Sequence, residues 1–226
     1  MELVTLATFN IKHGEGLDHR VDLDRTAGAI SETGASFIAL QELDRGNERS
    51  GRVDQPERLA ERTGLEIAFW PTVRRGRWEY GIGIASVQPV DATYTKLPRI
   101  AGEEPRGAVV GRLPGTDLSF VATHLSVKKE PRRVQTGTLL ELASDLEPPV
   151  VIMGDLNQGR MGLRPVIKAG FDAGRKIEHT LTTRSLRWQI DFVLVGSPAR
   201  LVSTHTVTTD ASDHVPLVAE VALEPT

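Results

Sequence analysis

Runs of apolar residues, each bounded by a polar one, recur along the whole chain. Leu3-Val4-Thr5-Leu6-Ala7-Thr8-Phe9 runs into Asn10, Phe37-Ile38-Ala39-Leu40 into Gln41-Glu42, Leu118-Ser119-Phe120-Val121-Ala122-Thr123 into His124, and Val150-Val151-Ile152-Met153 into Gly154-Asp155-Leu156-Asn157. Two further runs carry the polar residue in front: Asp191 opens Phe192-Val193-Leu194-Val195, and Ser212-Asp213-His214 precedes Val215-Pro216-Leu217-Val218. Short apolar runs of this kind read as buried strands. Successive side chains of a strand point to opposite faces, so Asp155 and Asn157 emerge together at the carboxyl edge of theirs, one anionic and one neutral. One such ending is an ordinary turn; six together point to a site.

Helical spacing is found in four segments. Leu23, Ala27 and Ile30 give Asp22 to Glu32 an apolar stripe, and Asp54-Gln55-Pro56 starts a helix that Gly64 ends. Leu139, Leu142, Ala143 and Leu146 line one side of a helix from Pro131 to Leu146, stopped by Pro148-Pro149, and a short turn covers Arg164 to Ala169. Further strands are predicted at Leu65 to Phe69, Tyr80 to Ser86, Ala108 to Arg112, Val202 to Thr208 and Leu217 to Leu223. Several follow one another without a helix between them, which disfavours an alternating doubly wound sheet and favours two sheets packed face to face with helices outside.

The chain of 226 residues is long enough for one sizeable core, and the expectation is a single domain over 1–226. A net charge of -3 excludes a polycation that coats nucleic acid indiscriminately, so an anionic ligand must be held locally. With 0 cysteines there are no disulfides and no thiolate metal sites. No basic start followed by an apolar stretch and no run of membrane-spanning length occurs, so the expectation is a cytoplasmic monomer with no membrane partner.

These residues limit the chemistry. No serine sits in a Gly-x-Ser-x-Gly turn, and the 6 histidines show no paired metal-ligand spacing, which argues against an acyl enzyme and against zinc. Oxygen donors remain. Glu42, Asp155, Asp191 and Asp213, with the amides of Asn10 and Asn157, suit Mg2+ or Mn2+, and such an ion with carboxylates and histidines is the equipment of phosphate ester hydrolysis.

Thr8-Phe9-Asn10-Ile11, Gln41-Glu42, Glu79-Tyr80-Gly81, Pro105-Arg106-Gly107-Ala108, Thr123-His124-Leu125, Gly154-Asp155-Leu156-Asn157, Ile190-Asp191-Phe192 and Ser212-Asp213-His214-Val215-Pro216-Leu217 occur in order across nearly the whole chain. As a set they resemble the endonuclease/exonuclease/phosphatase superfamily, the DNase I-like hydrolases. The resemblance implies a four-layered α/β sandwich, two mixed sheets face to face with helices outside. It implies Glu42 as principal metal ligand beside Asn10 and Asp213, Asp155 as the group that orients or deprotonates the attacking water, and Asn157 as a holder of a phosphate oxygen. It also implies His214, oriented by Asp191, against the scissile phosphate, and His124 as a second acid/base or leaving-group stabiliser.

Arg106 is either a guanidinium fork for phosphate or one half of a structural ion pair, and Tyr80 is core first and substrate contact second. His13, His19, His179 and His205 belong to no motif. His124 stands where the abasic-site endonucleases of the exonuclease III type carry tyrosine, so the resemblance leans toward the DNase I, sphingomyelinase and polyphosphatase-like branches. Two basic clusters, Arg74-Arg75-Gly76-Arg77 and Lys128-Lys129-Glu130-Pro131-Arg132-Arg133, are either rims of the cleft or solvated loops, and Trp78 is either a stacking platform or core. The expected function is a Mg2+-dependent phosphoesterase that attacks a phosphodiester or phosphomonoester in line with an activated water, on a small molecule or on nucleic acid. A DNase-like endonuclease and a non-catalytic binding member of the same fold are the alternatives.

Overall fold

The computed structural model describes residues 2–182 and 187–224. In chain order its strands begin with β1 (Glu2–Asn10), β2 (Phe37–Arg45), β3 (Glu66–Arg75), β4 (Trp78–Ser86), β5 (Ala92–Lys96), β6 (Gly107–Arg112) and β7 (Ser119–His124). They continue with β8 (Val150–Asp155), β9 (Phe171–Asp172), β10 (Leu181–Thr182), β11 (Arg187–Trp188), β12 (Asp191–Gly196), β13 (Arg200–Thr206) and β14 (Leu217–Leu223). The helices are α1 (Leu23–Glu32), α2 (Gln55–Thr63), α3 (Lys129–Ser144) and α4 (Arg164–Lys168).

One sheet runs β13-β14-β1-β2-β4-β3, the other β5-β6-β7-β8-β12-β9, and β10 pairs with β11 in a small hairpin. Both large sheets are mixed, since β1 runs parallel to β2 but antiparallel to β14, and β7 runs parallel to β8 but antiparallel to β6. The strand period decides the layers. Val4, Leu6, Phe37, Ala39, Ile82 and Ile84 of the first sheet meet Val109, Phe120, Ala122, Val151, Met153 and Val193 of the second in one apolar core. The alternate residues turn outward: Ala7, Phe9, Ile38 and Leu40 pack with Ala27, Ile30 and Leu59 of the first two helices. Ala108, Val121, Ile152 and Leu194 pack with Leu139, Ala143 and Val166 of the other two. Burial on both faces is why these strands read as unbroken apolar runs. The result is the four-layered α/β sandwich that the resemblance implied, and among the described residues no helix is long and apolar enough to cross a membrane.

Local chemistry sets the helix ends. The Asp22 carboxylate accepts from the amides of Asp24 and Arg25, Asp54 accepts from that of Glu57, and Gly64 closes α2 at φ 72°, a left-handed conformation that glycine adopts without strain. Several boundaries differ from the sequence expectation. Gln41-Glu42 does not end its strand; β2 continues to Arg45 through a register shift against β4 between Gln41 and Leu43, with Glu42 at φ 64°. Likewise β3 passes Pro71 to Arg75, tolerated because β3 is an edge strand and its register shifts between Pro71 and Val73, where no ladder amide is required. Helix α3 spans Lys129–Ser144 rather than Pro131 to Leu146, with Pro131 in the first turn, where a missing amide costs nothing. Strand β13 spans Arg200–Thr206 rather than Val202 to Thr208.

Phe120 is fully buried, and its ring lies 4.7 Å from that of Phe37 across the two sheets. Truncation to alanine removes an aromatic side chain from the middle layer, so Phe120→Ala is expected to lower the unfolding free energy by about 3–5 kcal/mol in urea denaturation. A loss under about 1 kcal/mol would show that the sheets do not depend on this contact.

Candidate active site

The strand period that builds the core also builds the site. Asn10 continues the inward series of Val4 and Leu6, His124 that of Phe120 and Ala122, Asp155 that of Val151 and Met153, and Asp191 opens that of Val193 and Val195. All four are buried at the end of the cleft where the apolar inter-sheet core stops. Glu42 falls out of this phase, and the extra residue of the bulge in β2 turns it toward Asn10. Gly154, at φ 142°, allows β8 to lie close against β7 beside the paired His124 and Asp155. A Cβ there would stand 1.9 Å from the Thr123 carbonyl oxygen.

Asp155 is the hub. Its Oδ1 accepts from the Asn157 amide at 2.9 Å, and its Oδ2 accepts from Asn10 Nδ2 at 3.0 Å. The same Oδ2 lies 3.4 Å from His124 Nε2 and 3.9 Å from His214 Nε2. Asn10 uses its second amide hydrogen on Glu42 Oε1 at 2.9 Å, while its Oδ1 accepts from the Lys12 amide at 3.0 Å. One neutral amide thus bridges the buried Asp155 carboxylate and the partly buried one of Glu42. His214 Nδ1 donates to Asp191 Oδ2 at 2.8 Å, leaving Asp191 Oδ1 buried without a partner. Ser212 Oγ donates to the Asn10 carbonyl at 2.8 Å and accepts from the His214 amide at 3.1 Å, which holds the loop before β14 against β1.

The two histidines differ in charge. Burial alone lowers the His214 pKa, but the charge and hydrogen bond of Asp191, with Asp155 and Asp213 behind them, outweigh it and raise the value to about 10. Burial, with the cationic Arg106 and His214 nearby, holds His124 well below the ordinary imidazole value. Arg106 Nη1 stands 2.9 Å from His124 Nδ1, and a guanidinium only donates, so Nδ1 is the acceptor and the ring's proton sits on Nε2, facing Asp155. Burial and then the Asp191 charge lift the Asp155 carboxyl to about 7. Burial also raises Glu42, opposed by the Asn10 hydrogen bond.

Counter-ions are unevenly distributed. His214 neutralises Asp191, Arg106 pairs with Glu104 at 2.8 Å, and Lys12 lies 3.4 Å from Asp213 and 3.1 Å from Glu15. Among the described residues Glu42 has no ion-pair partner. A carboxylate group this sheltered, beside the carboxylates of Asp155 and Asp213 and an amide that can present oxygen, is a donor set that fits a hard divalent cation. A second arrangement lies next to it: one ligand atom from each of Asp155, Asp191 and His214 falls within 4.8 Å of the others. That trio already contains its own cation, the His214 ring.

All ten residues singled out in the sequence lie in or beside this region, though not in equal contact. Asp213 faces Lys12, Arg106 is committed to Glu104 and His124, and Tyr80 is a buried inward residue of β4 with the Arg49 guanidinium 5.3 Å above its ring. Sequence reasoning missed Lys12, two residues beyond Asn10, Glu104, two before Arg106, and the pair of Asp44 and Arg49. The buried Asp44 takes two bonds from Arg49, at 2.8 and 2.9 Å, and so fixes Arg49 over Tyr80, a tertiary contact with no motif to announce it. Both basic clusters contribute to hollows. Arg75 and Trp78 line one of about 650 Å³ with Arg49 and Tyr80, so Trp78 is not core. Lys129, Arg132 and Arg133 line another of about 670 Å³ that opens at Asn157. His13 and His19 lie near Glu15, at 3.7 and 3.4 Å, outside the cluster.

The His214 pair gives a pH signature. Its folded pKa stands above the ordinary 6.5, so the stability it contributes is complete below pH 6.5 and disappears as pH rises through about 10. In chelator, wild-type protein is expected to lose unfolding free energy across that window, and Asp191→Asn to lose much less, with the ring titrating near or below 6.5 by NMR. Equal pH slopes for the two proteins would remove Asp191 as the cause.

A protein-family model described as the Endonuclease/Exonuclease/phosphatase family matches residues 7–214. An endonuclease/exonuclease/phosphatase from Beutenbergia cavernae has the same fold with a TM-score of 0.80 at 21% identity, over 99% of this chain and 72% of that one. TDP2 of D. rerio, complexed with single-strand DNA product, gives 0.74 at 17% identity over 99% and 100% of the two chains. A mannosyl-6-phosphatase of Bacteroides thetaiotaomicron gives 0.71 at 14% identity over 97% and 100%. The family match runs from Ala7 on the first strand to His214 beside Asp191, on a sandwich shared with those structures, and the chain belongs to the endonuclease/exonuclease/phosphatase family.

Proposed function

We propose that this protein is a Mg2+-dependent phosphoesterase, with Mn2+ as an alternative ion, that hydrolyses a phosphate ester by in-line attack of water. The observation that carries the reading is the convergence of Asn10, Glu42, His124, Asp155, Asn157, Asp191 and His214 at one end of the cleft, with Glu42 lacking an ion-pair partner among the described residues. Members of the family are typically metal-dependent hydrolases of phosphate esters. Among the solved structures, one holds a DNA product and another is a sugar-phosphate phosphatase.

Glu42 would be the principal ligand of the ion, with Asn10 and Asp213 beside it. The ion, when bound, supplies positive charge to phosphoryl oxygens and makes water more acidic. Asp155 orients the attacking water and accepts its proton, a role suited to a carboxyl lifted toward neutral pH. His214, cationic and fixed by Asp191, donates from Nε2 to a phosphate oxygen. Asn157, with one amide hydrogen on the Leu125 carbonyl at 3.0 Å, has the other for the phosphate. The neutral His124 donates from Nε2 and stabilises charge on the leaving group more readily than it transfers a proton. Arg106 keeps that ring in its tautomer, and Tyr80, its hydroxyl held protonated by burial and the nearby Glu42 charge, faces the same region as a donor.

Two measurements test this. On bis-4-nitrophenyl phosphate, 4-nitrophenyl phosphate, nicked plasmid and inositol phosphates, turnover is expected only with Mg2+ or Mn2+. Asp155→Asn and His214→Ala should each lower kcat by about 10²–10⁴ while the circular dichroism is retained. Full activity in either variant would refute the assigned roles, and no metal-dependent turnover on any ester would favour the non-catalytic alternative. In thermal or urea unfolding, Mg2+ at about a hundred times its Kd should add about 2.7 kcal/mol to the wild type, and Glu42→Gln should lose most of that gain. An equal gain in Glu42→Gln would move the ion elsewhere.

A further inference from the structure

The groove beyond Asn157 contains features that the hydrolytic centre does not use. It has a volume of about 670 Å³, within the range of small-ligand sites, and its lining includes Trp188, Ile190 and Pro165 together with Lys129 and Arg133. Trp188 is 58% exposed, the only aromatic among the exposed large apolar side chains of the described residues. Leaving an indole in water forgoes a large burial gain, so its exposure at the mouth of a pocket suggests a surface meant for a ligand. The wall is rigidly tied to the hydrolytic centre. The Trp188 carbonyl accepts from the Thr180 amide at 2.9 Å, and the Thr180 hydroxyl accepts from the amides of Ile190 and Asp191 at 3.2 and 3.1 Å. One threonine therefore sets both the stacking wall and the carboxylate that orients His214.

The part of the lining that α3 supplies is electropositive without being neutralised. Arg132 is committed to the carbonyls of Ser126 and Val127 at 3.0 and 2.7 Å and shapes the loop. Lys129 has no ion-pair partner among the described residues, and Arg133 has only a 3.5 Å contact with Glu130 on the solvent side. An exposed flat aromatic that lines the same groove as two available cations and the amide of Asn157 complements a ligand that combines a planar ring with further anionic charge.

Resting on the phosphoesterase reading above, we propose that this groove binds a nucleotide unit of the substrate, with the base stacked on Trp188 and an adjacent phosphate on Lys129 and Arg133. The unit is chemically the same whether free or within a strand.

The test compares 5′-phosphorylated dithymidylate, which carries both a mono- and a diester, with its counterpart in which tetrahydrofuran residues replace the thymidines. Trp188→Ala should lower kcat/KM on the base-bearing compound about tenfold, the lower end of a base–aromatic stack, and leave the base-free compound unchanged. Trp188→Phe should restore most of the loss. Equal losses on both compounds, or no loss on either, would overturn the proposal. Lys129→Ala combined with Arg133→Ala should raise KM and flatten its salt dependence; a salt dependence identical to wild type would overturn the phosphate contact. A KM lower for octathymidylate than for the dinucleotide assigns the groove to a strand, and equal values assign it to a free nucleotide. Should wild type hydrolyse neither compound, the phosphoesterase reading is decided by the ester panel above and not by the groove. The groove is then judged by quenching of tryptophan fluorescence on binding octathymidylate in chelator, expected in wild type and weakened in Trp188→Phe; no quenching in wild type overturns it.

Discussion

The amide of Asn10 is where the two sheets meet chemically. Its nitrogen donates to Glu42 on its own sheet and to Asp155 on the opposite one, 145 residues away, just where their shared apolar core runs out. Two carboxylates held by one amide repel each other, and a neutral donor can orient them but cannot cancel their charge. The hydrogen bond from His214, carried by the loop before β14, to Asp191 on β12 is the second link across the same gap, and it does bring a positive charge. The balance between these links leaves Glu42 as a sheltered carboxylate without an ion-pair partner among the described residues.

That imbalance connects the fold to its chemistry. A core as apolar as the one between Phe37 and Phe120 has nothing with which to solvate charge, so Glu42, Asp155 and His124 at its open end are displaced from their ordinary behaviour by burial first and neighbours second. Burial raises the carboxyls and lowers His124, and only the direct contact with Asp191 reverses the trend for His214. One site thus holds a neutral and a cationic imidazole on either side of one carboxylate. The rigid sheets keep them there, since each side chain stands on a strand or immediately beside one.

The groove past Asn157, where we propose that a nucleotide unit binds, adjoins the centre without sharing its buried residues. Its walls come from α3, α4, the loop after β8, Trp188 of β11 and Ile190 just before β12, none of them an inward-facing residue of β7, β8 or β12. Thr180 carries the coupling between the two regions.

The sequence by itself determined the layers and most of the cluster. Apolar runs buried on both faces, interrupted too rarely by helices for a doubly wound sheet, imply stacked sheets, and the polar residue ending each run is inward because strand side chains alternate with period two. Asn10, His124, Asp155 and Asp191 were legible for that reason. Glu42 was legible only through its motif: by strand parity it points the wrong way, and the bulge that turns it depends on pairing with β4. Lys12, Glu104, Arg49 and Trp188 were decided by tertiary structure alone. Their partners lie on other segments or depend on how loops close, and an ion pair, a cation over a ring or an exposed indole leaves no periodic trace in the chain that carries it.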